Sequence, residues 1–374
     1  MFMYGNSHLN RREFLKLGGV ALGAAALLPA SFNPAMKVNP RYLLQEPFPQ
    51  ADRLGRVVEE LDRFVYVRSA PNREAPEVGQ LMGDTVVPWI REVVGSASGL
   101  RNQRWIEIPQ GYVWAPFLQP VKNIINEPLA SLPDFGGGPG MWMEVTQPYV
   151  EVQLVNANAP YGHRIRFLVE SNWPIRLYYG QVMWVDEIRT NAAGETEYHV
   201  FDLYGSLGDR FWAPAHAFRP IYPDDIAPIS PDVENKELVI NIARQTMSCY
   251  EDGREVYFSR VSTGRDGEDG VGLTPVSDYL RVFMKYISTT MTGGTSGAGY
   301  DLAGIGWCTF FATGGIAVHT CYWHNNFGER TSAGCINATQ EDAKFIFRWT
   351  SPQVDYFPGR IDQVAGTGVR VVQA

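Results

Sequence analysis

The chain has 374 residues, 45% hydrophobic and 19% charged, which suggests two or three globular domains and excludes a largely disordered chain. Its formal net charge of −8 argues against nucleic acid as the main partner, because phosphate binding requires a basic surface. The 37 Gly, 25 Pro and many aromatic residues favour β structure with many turns, and four cysteines are too few for a disulfide scaffold.

The N-terminal segment, residues 1–35, has the three parts of a secretory signal. Arg11 and Arg12 precede an apolar run, Leu17 to Leu28, and small residues follow near Ala30. The paired arginines followed by Phe-Leu-Lys resemble a twin-arginine signal, which exports folded proteins. We therefore expect an exported protein that lies in the cell wall, outside the cell or in the periplasm.

Two alternatives to a cleaved signal are open for this segment. It is a buried core helix, or it stays attached as an anchor and makes the one expected contact with a membrane. The apolar run is shorter than the roughly 20 residues that span a bilayer, which favours the signal.

Residues 50–122 are predicted to form a small β module. One strand is expected at Phe64–Arg68, where a turn at Ser69–Asn72 follows. The order of Val-Arg-Ser-Ala-Pro, Gly-Gln-Leu, a late Trp and Gly-Tyr-Val-Trp resembles bacterial Src-homology-3-like domains. Such domains are small β-barrels that often bind cell wall in exported enzymes. Further strands are predicted at Val78–Leu81, Thr85–Trp89, Trp105–Ile108 and Tyr112–Trp114.

Residues 145–222 are predicted to form a second small β module. Its Trp212-Ala213-Pro214 echoes an earlier Trp114-Ala115-Pro116, which suggests a diverged repeat of the first module. A coincidence between two turns is the alternative. Pro-rich and Gly-rich stretches at Pro133–Gly140 and Tyr222–Asp232 are predicted to be linkers of limited flexibility.

The pattern changes again in residues 236–374. Strands are predicted at Leu238–Ile242, Arg254–Val261 and Gly366–Val372. A helix is predicted over Thr339–Trp349, because a threonine cap and an acidic first turn precede spaced apolar residues.

A histidine and a cysteine in this last region suggest nucleophilic catalysis. His319 ends an apolar run, and Cys335 follows 16 positions later, directly after Gly334. A cysteine attacks a carbonyl as a thiolate, and a neighbouring imidazole can take its proton. A glycine before the cysteine allows a tight turn whose amides point at a developing oxyanion.

The residues around this pair resemble the L,D-transpeptidase, or YkuD-like, catalytic motif. That motif is a His, a gap of mid-teens length, then Ser/Thr-His-Gly-Cys, an apolar residue, and Asn or Arg. The resemblance covers Lys236–Val372 and implies a β-sandwich catalytic domain with one or two short helices, so a mainly β protein is expected. The matching residues are His319, Ser332, Gly334, Cys335, Ile336 and Asn337, with Tyr322–Gly328, Val261–Gly264 and Thr274–Val276 similar to further segments of the family.

The resemblance implies a role for each site residue. Cys335 would be the nucleophile and His319 the base, with the backbone carbonyl of Thr320 orienting the imidazole and the amides of Gly334 and Cys335 binding the oxyanion. For His324, a structural role is the alternative to a place in the pocket. No metal or organic cofactor is implied. The residues expected to line the substrate pocket are His324, Ser332, Asn337, Tyr322 and Trp323.

Three positions depart from the family pattern. Ala333 stands where most members have His, Thr320 stands where Gly usually follows the first His, and Ser277 stands where the family has Gly. These departures put the rate and the substrate preference in doubt more than the class of reaction.

The implied function is that of an exported L,D-transpeptidase that forms a cysteine thioester in cell-wall biogenesis, with a role in cell shape. Its expected partners are peptidoglycan stem peptides and glycan, and the acyl acceptor is left open. One alternative is an L,D-carboxypeptidase on the same fold, with water as the acceptor. The other is a wall-binding protein with a weakened catalytic site, which the Ala333 substitution favours.

The remaining cysteines are open to two interpretations. Cys308 and Cys321 lie on adjacent apolar runs, so either a disulfide or two buried thiols is expected. Cys321 lies two residues after His319, and such residues share a face in a strand, so its thiol is also a candidate neighbour of the base. Cys249 lies far from His319 and from the other cysteines in the sequence, so neither interpretation applies to it. Three histidines outside the motif are expected to be surface or core residues without metal spacing: His163, His199 and His216.

Overall fold

Short strands dominate the structure, as the composition predicts. The computed structural model describes residues 48–97, 99–156, 162–205, 208–267, 273–293, 300–362 and 365–373, and these contain 26 strands and two α-helices. The prediction of a mainly β protein is therefore confirmed. The predicted signal, residues 1–35, lies outside the described residues. In the described part of the chain no helix is long and apolar enough to cross a membrane.

Two antiparallel sheets make up residues 54–121, hereafter the first module. The strand predicted at Phe64–Arg68 is present at those bounds, and its alternation buries Val65 and Val67 while Tyr66 faces outward. The strands are β1 (Leu54–Val57), β2 (Phe64–Arg68), β3 (Glu77–Met82), β4 (Val86–Pro88), β5 (Arg91–Val94), β6 (Arg104–Ile108), β7 (Gly111–Trp114) and β8 (Leu118–Val121). They pair in the orders β4-β1-β8 and β3-β2-β7-β6-β5.

Residues 141–220, hereafter the second module, contain a helix and a larger antiparallel sheet. The elements are β9 (Met141–Val145), β10 (Tyr149–Glu151), β11 (Gln153–Leu154), α1 (His163–Glu170), β12 (Arg176–Tyr178), β13 (Val182–Thr190), β14 (Thr196–Phe201), β15 (Arg210–Pro214) and β16 (Phe218–Pro220). Six strands pair in the order β11-β15-β14-β13-β9-β16, and β10 pairs with β12. A 3-10 helix follows β7 at Ala115–Phe117 and β15 at Ala215–Ala217, so both modules have a strand, a 3-10 turn and a strand where the sequence echo falls.

The C-terminal region, residues 236–372, has two five-stranded sheets. The elements are β17 (Lys236–Asn241), β18 (Thr246–Glu251), β19 (Arg254–Arg260), β20 (Ser277–Arg281), β21 (Met284–Gly293), β22 (Tyr300–Ala312), β23 (Ile316–Thr320), β24 (Ile336–Ala338), α2 (Gln340–Trp349), β25 (Arg360–Asp362) and β26 (Gly368–Val372). The strands pair in the orders β19-β18-β17-β26-β20 and β24-β23-β22-β21-β25.

One core joins the second module to the C-terminal region. Trp142 and Trp184 of the second module belong to the same buried cluster as Trp307 and the α2 residues Phe347 and Trp349. The first module has a smaller core of its own, built around Val57, Trp89 and Ile106, among other residues. Strand β23, which carries part of the site described below, contributes Val318 to the shared core and its neighbour Ala317 to a separate buried cluster with Tyr178 and Tyr322.

Helix α2 has the start that the sequence predicts. The Thr339 side chain accepts a hydrogen bond from the Asp342 N–H at 3.2 Å, and Glu341 adds a second carboxylate to the first turn. Ala343 and Ile346 are fully buried. The helix follows β24 directly, so its cap also fixes the end of the strand that carries the site.

Candidate active site

Two parallel neighbouring strands bring the predicted site residues together. In the pairing of β23 with β24, His319 lies opposite Asn337, and Val318 lies opposite Ile336. Cys335 directly precedes β24, and alternation along a strand puts it on the same face as Asn337 and His319. All three residues line one cavity of about 730 Å³. A volume of this size is typical of a ligand pocket.

The same cavity holds most of the residues predicted for the pocket. Tyr322, Trp323 and Ser332 line it together with Ala333. The Trp323 ring lies beside the imidazole of His319, with ring centroids 5.9 Å apart. His324 lines a neighbouring cavity instead, and its side chain is turned toward Asn337.

His319 is buried and held in one tautomer. Its Nδ1 lies 2.8 Å from the carbonyl oxygen of Thr320. Nδ1 therefore carries the proton and donates a hydrogen bond to that oxygen. Nε2 therefore keeps its lone pair. Burial lowers the pKa of His319 to about 4, so the ring is neutral at pH 7 and can accept a proton at Nε2.

A chain of hydrogen bonds runs from the loop after β23 to this lone pair. The Asn326 N–H donates to His324 Nδ1 at 3.1 Å, which leaves the proton of His324 on Nε2. His324 Nε2 donates to Asn337 Oδ1 at 3.0 Å, and Asn337 Nδ2 then donates to His319 Nε2 at 3.3 Å. The arrangement is consistent only when both imidazoles are neutral, and burial lowers the pKa of His324 to about 4.

Cys335 is partly exposed to the cavity. Its thiol donates to the carbonyl oxygen of Gly315 at 3.4 Å, so in this conformation its hydrogen bond does not go to His319. Burial raises the pKa of the thiol. The pair therefore rests as a neutral thiol and a neutral imidazole, and the thiol must turn toward Nε2 as it loses its proton.

The turn before the cysteine depends on glycine. Gly334 has a φ of +134°, and a Cβ added there would lie 2.6 Å from Cδ1 of Ile316. Ser332 Oγ closes the turn, because it accepts from the Gly334 N–H at 3.0 Å and donates to the Cys335 carbonyl at 2.6 Å. Since the Gly334 amide is engaged in this way, the Cys335 amide is the better placed of the two amides expected to bind an oxyanion.

A second layer braces this turn. Thr274 Oγ1 accepts from the Gly264 N–H at 2.8 Å and donates to the Gly334 carbonyl at 2.7 Å. A Cβ added at Gly264 would come within 2.9 Å of the Gly334 Cα. The segments singled out in the sequence around residues 262–264 and 274 therefore hold the backbone below the cysteine. Ser277 lies further along, at the start of β20.

Two of the positions that depart from the family pattern differ in solvent exposure: Ala333 is exposed and Thr320 is buried. Ala333 is exposed on the cavity lining and has no side-chain hydrogen-bonding group. Arg265 lines the same cavity, and its N–H donates to the Ser332 carbonyl at 3.0 Å. Thr320 is buried, and its hydroxyl accepts from the Gly306 N–H at 3.0 Å. The Thr320 side chain thus holds the neighbouring strand β22 by a buried hydrogen bond, in addition to the contact of its carbonyl with the base.

All four cysteines are free thiols, which settles the open choice for Cys308 and Cys321 in favour of unpaired thiols. Cys308 is fully buried, and burial raises its pKa well above the ordinary value. Cys321 lies past the end of β23 and lines the neighbouring cavity, where burial raises its pKa to about 12. Cys335 is the one cysteine that lines the large cavity. Across the described ranges, no cluster of three or more His, Cys, Asp or Glu side chains could hold a metal ion.

Sequence reasoning missed the residues that the two modules add to the cavity. Arg56, Glu60 and Asp84 come from the first module, and Arg164 and Tyr178 come from the second. No local pattern marks them, because their place in the site depends on how distant segments pack.

The fold and the site define a mainly β domain in which a cysteine and a histidine open on one cavity. Residues 235–371 match the family model YkuD, the L,D-transpeptidase catalytic domain. The expectation of such a domain from residue 236 onward is therefore confirmed. No curated protein matches the chain significantly.

Several solved structures are similar to part of the chain. An L,D-transpeptidase variant from Enterococcus faecium is 20% identical, with a TM-score of 0.28, over 37% of this chain and 51% of its own. An L,D-transpeptidase from Mycobacterium smegmatis is 15% identical, with a TM-score of 0.29, over 59% of this chain and 99% of its own. L,D-transpeptidase 1 from Mycobacterium tuberculosis is 17% identical, with a TM-score of 0.27, over 50% and 85%. The chain thus spans about half the length of the Enterococcus protein, and only the match of residues 235–371 supports the family.

Proposed function

We propose that the protein is an L,D-transpeptidase that transfers an acyl group from a peptidoglycan stem peptide through a thioester on Cys335. The observation that carries the proposal is the shared cavity of Cys335 and neutral His319, inside the segment that matches the family model. A nucleophile and a base that open on one pocket are what acyl transfer requires.

The first half of the reaction makes the thioester. Cys335 Sγ bonds to the carbonyl carbon of an L,D peptide bond, between diaminopimelate and D-Ala, while His319 Nε2 takes the thiol proton. The Thr320 carbonyl, which already accepts from Nδ1–H, stabilises the imidazolium that forms. The C–N bond then breaks, and His319 gives its proton to the departing amine of D-Ala.

The second half depends on the acceptor. An amine attacks the thioester, its proton passes to His319, the new amide forms, and the Cys335 sulfur leaves and is protonated again. Water in place of the amine gives a carboxypeptidase. Because Ala333 offers no hydrogen bond, the oxyanion depends on the Cys335 amide, and this is the observation that favours a weakened site as the second candidate.

The acceptor is tested by a product assay. Purified protein is incubated with a stem tetrapeptide that ends in D-Ala, with and without a free amine acceptor. We expect the acceptor-linked product from the wild type and none from His319→Gln. Free tripeptide alone in the presence of acceptor supports the carboxypeptidase, and no release of D-Ala by the folded protein supports the weakened wall-binding protein.

Export and wall contact belong to the same proposal. The twin-arginine pattern supports export of the folded chain to the wall, and the resemblance of residues 50–122 to wall-binding modules supports a contact with glycan. Changing Arg11 and Arg12 together to Lys should keep the protein in the cytoplasm on cell fractionation. Undiminished export of that variant contradicts the route.

A further inference from the structure

The cavity of Cys335 extends beyond the domain that matches the family model. Part of its lining, hereafter the module wall, consists of Arg56, Glu60 and Asp84 from the first module and Arg164 and Tyr178 from the second. The charges on this wall are therefore supplied by segments that lie more than 50 residues before residue 235. What they bind is a property of this chain and not of the catalytic domain alone.

Most of the module wall is a fixed, buried network. Asp84 accepts from Arg56 Nη1 at 2.6 Å, from Arg176 Nη1 at 3.0 Å and from the Tyr178 hydroxyl at 3.2 Å. The side chains of Arg56 and Asp84 are only 4% and 3% exposed. Arg56 also donates to the Tyr322 carbonyl at 2.7 Å. These groups have their partners already and hold the wall against the loop that follows His319.

One ion pair on this wall is open to the cavity. Arg164 Nη1 lies 3.1 Å from Glu60 Oε1, and the two side chains are 34% and 42% exposed. The backbone N–H of Arg164 donates to Asp301 at 2.9 Å, which fixes the start of α1 and hence the base of the side chain. An ion pair this exposed contributes little to stability, and each partner has hydrogen-bonding capacity left over. It is therefore available to a ligand.

We propose that Arg164 and Glu60 bind the zwitterionic end of an alkyl side chain, an α-amino carboxylate. The planar guanidinium of Arg164 matches a carboxylate with two parallel hydrogen bonds, and the Glu60 carboxylate pairs with the ammonium. Met284, Met291 and Leu302 line the same cavity and suit the methylene chain. The inference rests on the proposed function and names the part of the substrate: the free end of the diaminopimelate side chain.

The test compares two stem tetrapeptides that end in D-Ala and differ in the third residue. One has diaminopimelate, and the other has lysine, which keeps the ammonium and lacks the carboxylate. The wild type should prefer the diaminopimelate peptide at least tenfold in kcat/KM. Arg164→Gln should lower kcat/KM for that peptide about tenfold to a hundredfold and leave the lysine peptide within about twofold, because only the carboxylate contact is lost. Glu60→Gln should lower both, because both peptides carry the ammonium.

Two matched controls separate this site from other effects. Arg265 lines the cavity at the Ser332 turn, so Arg265→Gln should affect both peptides equally. Arg91 pairs with Glu107 on the first module at 2.6 Å, outside the cavity lining, so Arg91→Gln should change neither. A carbapenem adduct on Cys335 in each variant shows that the site is folded, and Arg164→Lys provides a variant that keeps the charge.

The outcomes are distinct. An unchanged preference for diaminopimelate in adduct-forming Arg164→Gln overturns the subsite and leaves the proposed function standing. A loss of that preference in Arg265→Gln but not in Arg164→Gln places the carboxylate elsewhere and also overturns it. No release of D-Ala from either peptide by the adduct-forming wild type contradicts the proposed function and the subsite with it.

Discussion

His319 can act as a base because it is buried and neutral. Its Nδ1–H donates a hydrogen bond to the Thr320 carbonyl. Nε2 keeps its lone pair, which accepts a hydrogen bond from the Asn337 side chain. A lowered pKa means that the base form persists to more acid pH than an exposed imidazole allows. The thiol of Cys335, whose pKa is raised by burial, supplies the proton only during attack.

This state predicts the acid limb of the pH–rate profile. The rate constant for acylation of Cys335 by a carbapenem should fall with an apparent pKa near 4 and not near the ordinary 6.5 of histidine. In His324→Phe the limb should move up from about 4 but stay below 6.5, because Asn337 is then free to turn its Oδ1 to the protonated ring of His319, while the burial that lowers the pKa remains. Stopped-flow acylation rates between pH 3.5 and 8 give the acid limb of the wild type and that of the variant. Only pH values at which circular dichroism shows folded protein are used. A wild-type limb near 6.5 contradicts the neutral buried base.

At the scale of the element, the turn from Ser332 to Cys335 positions the nucleophile. It is closed by Ser332 Oγ and braced from below by Thr274 Oγ1, which accepts from the Gly264 amide. A Cβ at Gly334 would lie 2.6 Å from Cδ1 of Ile316 and 3.1 Å from the Leu273 carbonyl oxygen, so the turn that places Cys335 is tightly enclosed.

The turn makes a stability prediction with an internal control. Gly334→Ala should lower the free energy of unfolding by about 2–4 kcal/mol, because a strained φ and a clash with Ile316 add together. Gly253→Ala has a φ of +79° but open space, so it should cost only about 1 kcal/mol. Urea unfolding of the two variants measures the difference. Equal losses would mean that the Gly334 turn relaxes freely and does not fix Cys335.

The two helices illustrate what the sequence can and cannot predict. Helix α2 is predicted because its cap is local: Thr339 accepts from the Asp342 amide three residues later. Helix α1 has no side-chain cap of its own and no acidic first turn. Its first amides donate instead to distant carboxylates: Gly162 N–H to Asp209 and Arg164 N–H to Asp301. Such a helix start exists only in the folded chain, so no local pattern could indicate it.

At the scale of the whole molecule, the first module is part of the active-site support. Arg56 bridges Asp84 of its own module and the carbonyl of Tyr322, a residue 266 positions away. Arg104 donates to the Asn325 side chain at 3.1 Å, and Asn102 donates to the Asn326 side chain at 3.1 Å. The loop that carries His324 is therefore held from the first module.

Loss of this bridge should be costly. Arg56→Met leaves the buried Asp84 with one cation fewer and the Tyr322 carbonyl without its donor, so we expect a loss of about 3–5 kcal/mol in the free energy of unfolding. Carbapenem acylation of the folded fraction should also slow, because the loop after His319 is released. Arg91→Gln, which breaks an exposed ion pair of the same module, should leave both quantities unchanged. If folded Arg56→Met protein is acylated at the wild-type rate, the first module does not support the active site.

These long-range contacts mark the limit of sequence reasoning for the site. The histidine, the cysteine and the Ser-x-Gly turn lie close together in the chain, and their pattern indicates their chemistry. The partners of the base do not all lie there. The sequence leaves open whether His324 lines the pocket or is structural, because its contact with Asn337 depends on how the loop folds back. Glu60 and Arg164 are 104 residues apart and meet only through packing of the two modules.

The central claim is that Cys335 is the acylated residue, and mass spectrometry after carbapenem treatment tests it most directly. We expect a mass increase on the peptide that contains Cys335 and none in a folded Cys335→Ala variant. Cys249→Ala, Cys308→Ala and Cys321→Ala should keep the adduct once folded, because these thiols are buried or line another cavity. An adduct that survives Cys335→Ala, or that disappears in folded Cys321→Ala, would contradict the account and place the nucleophile elsewhere.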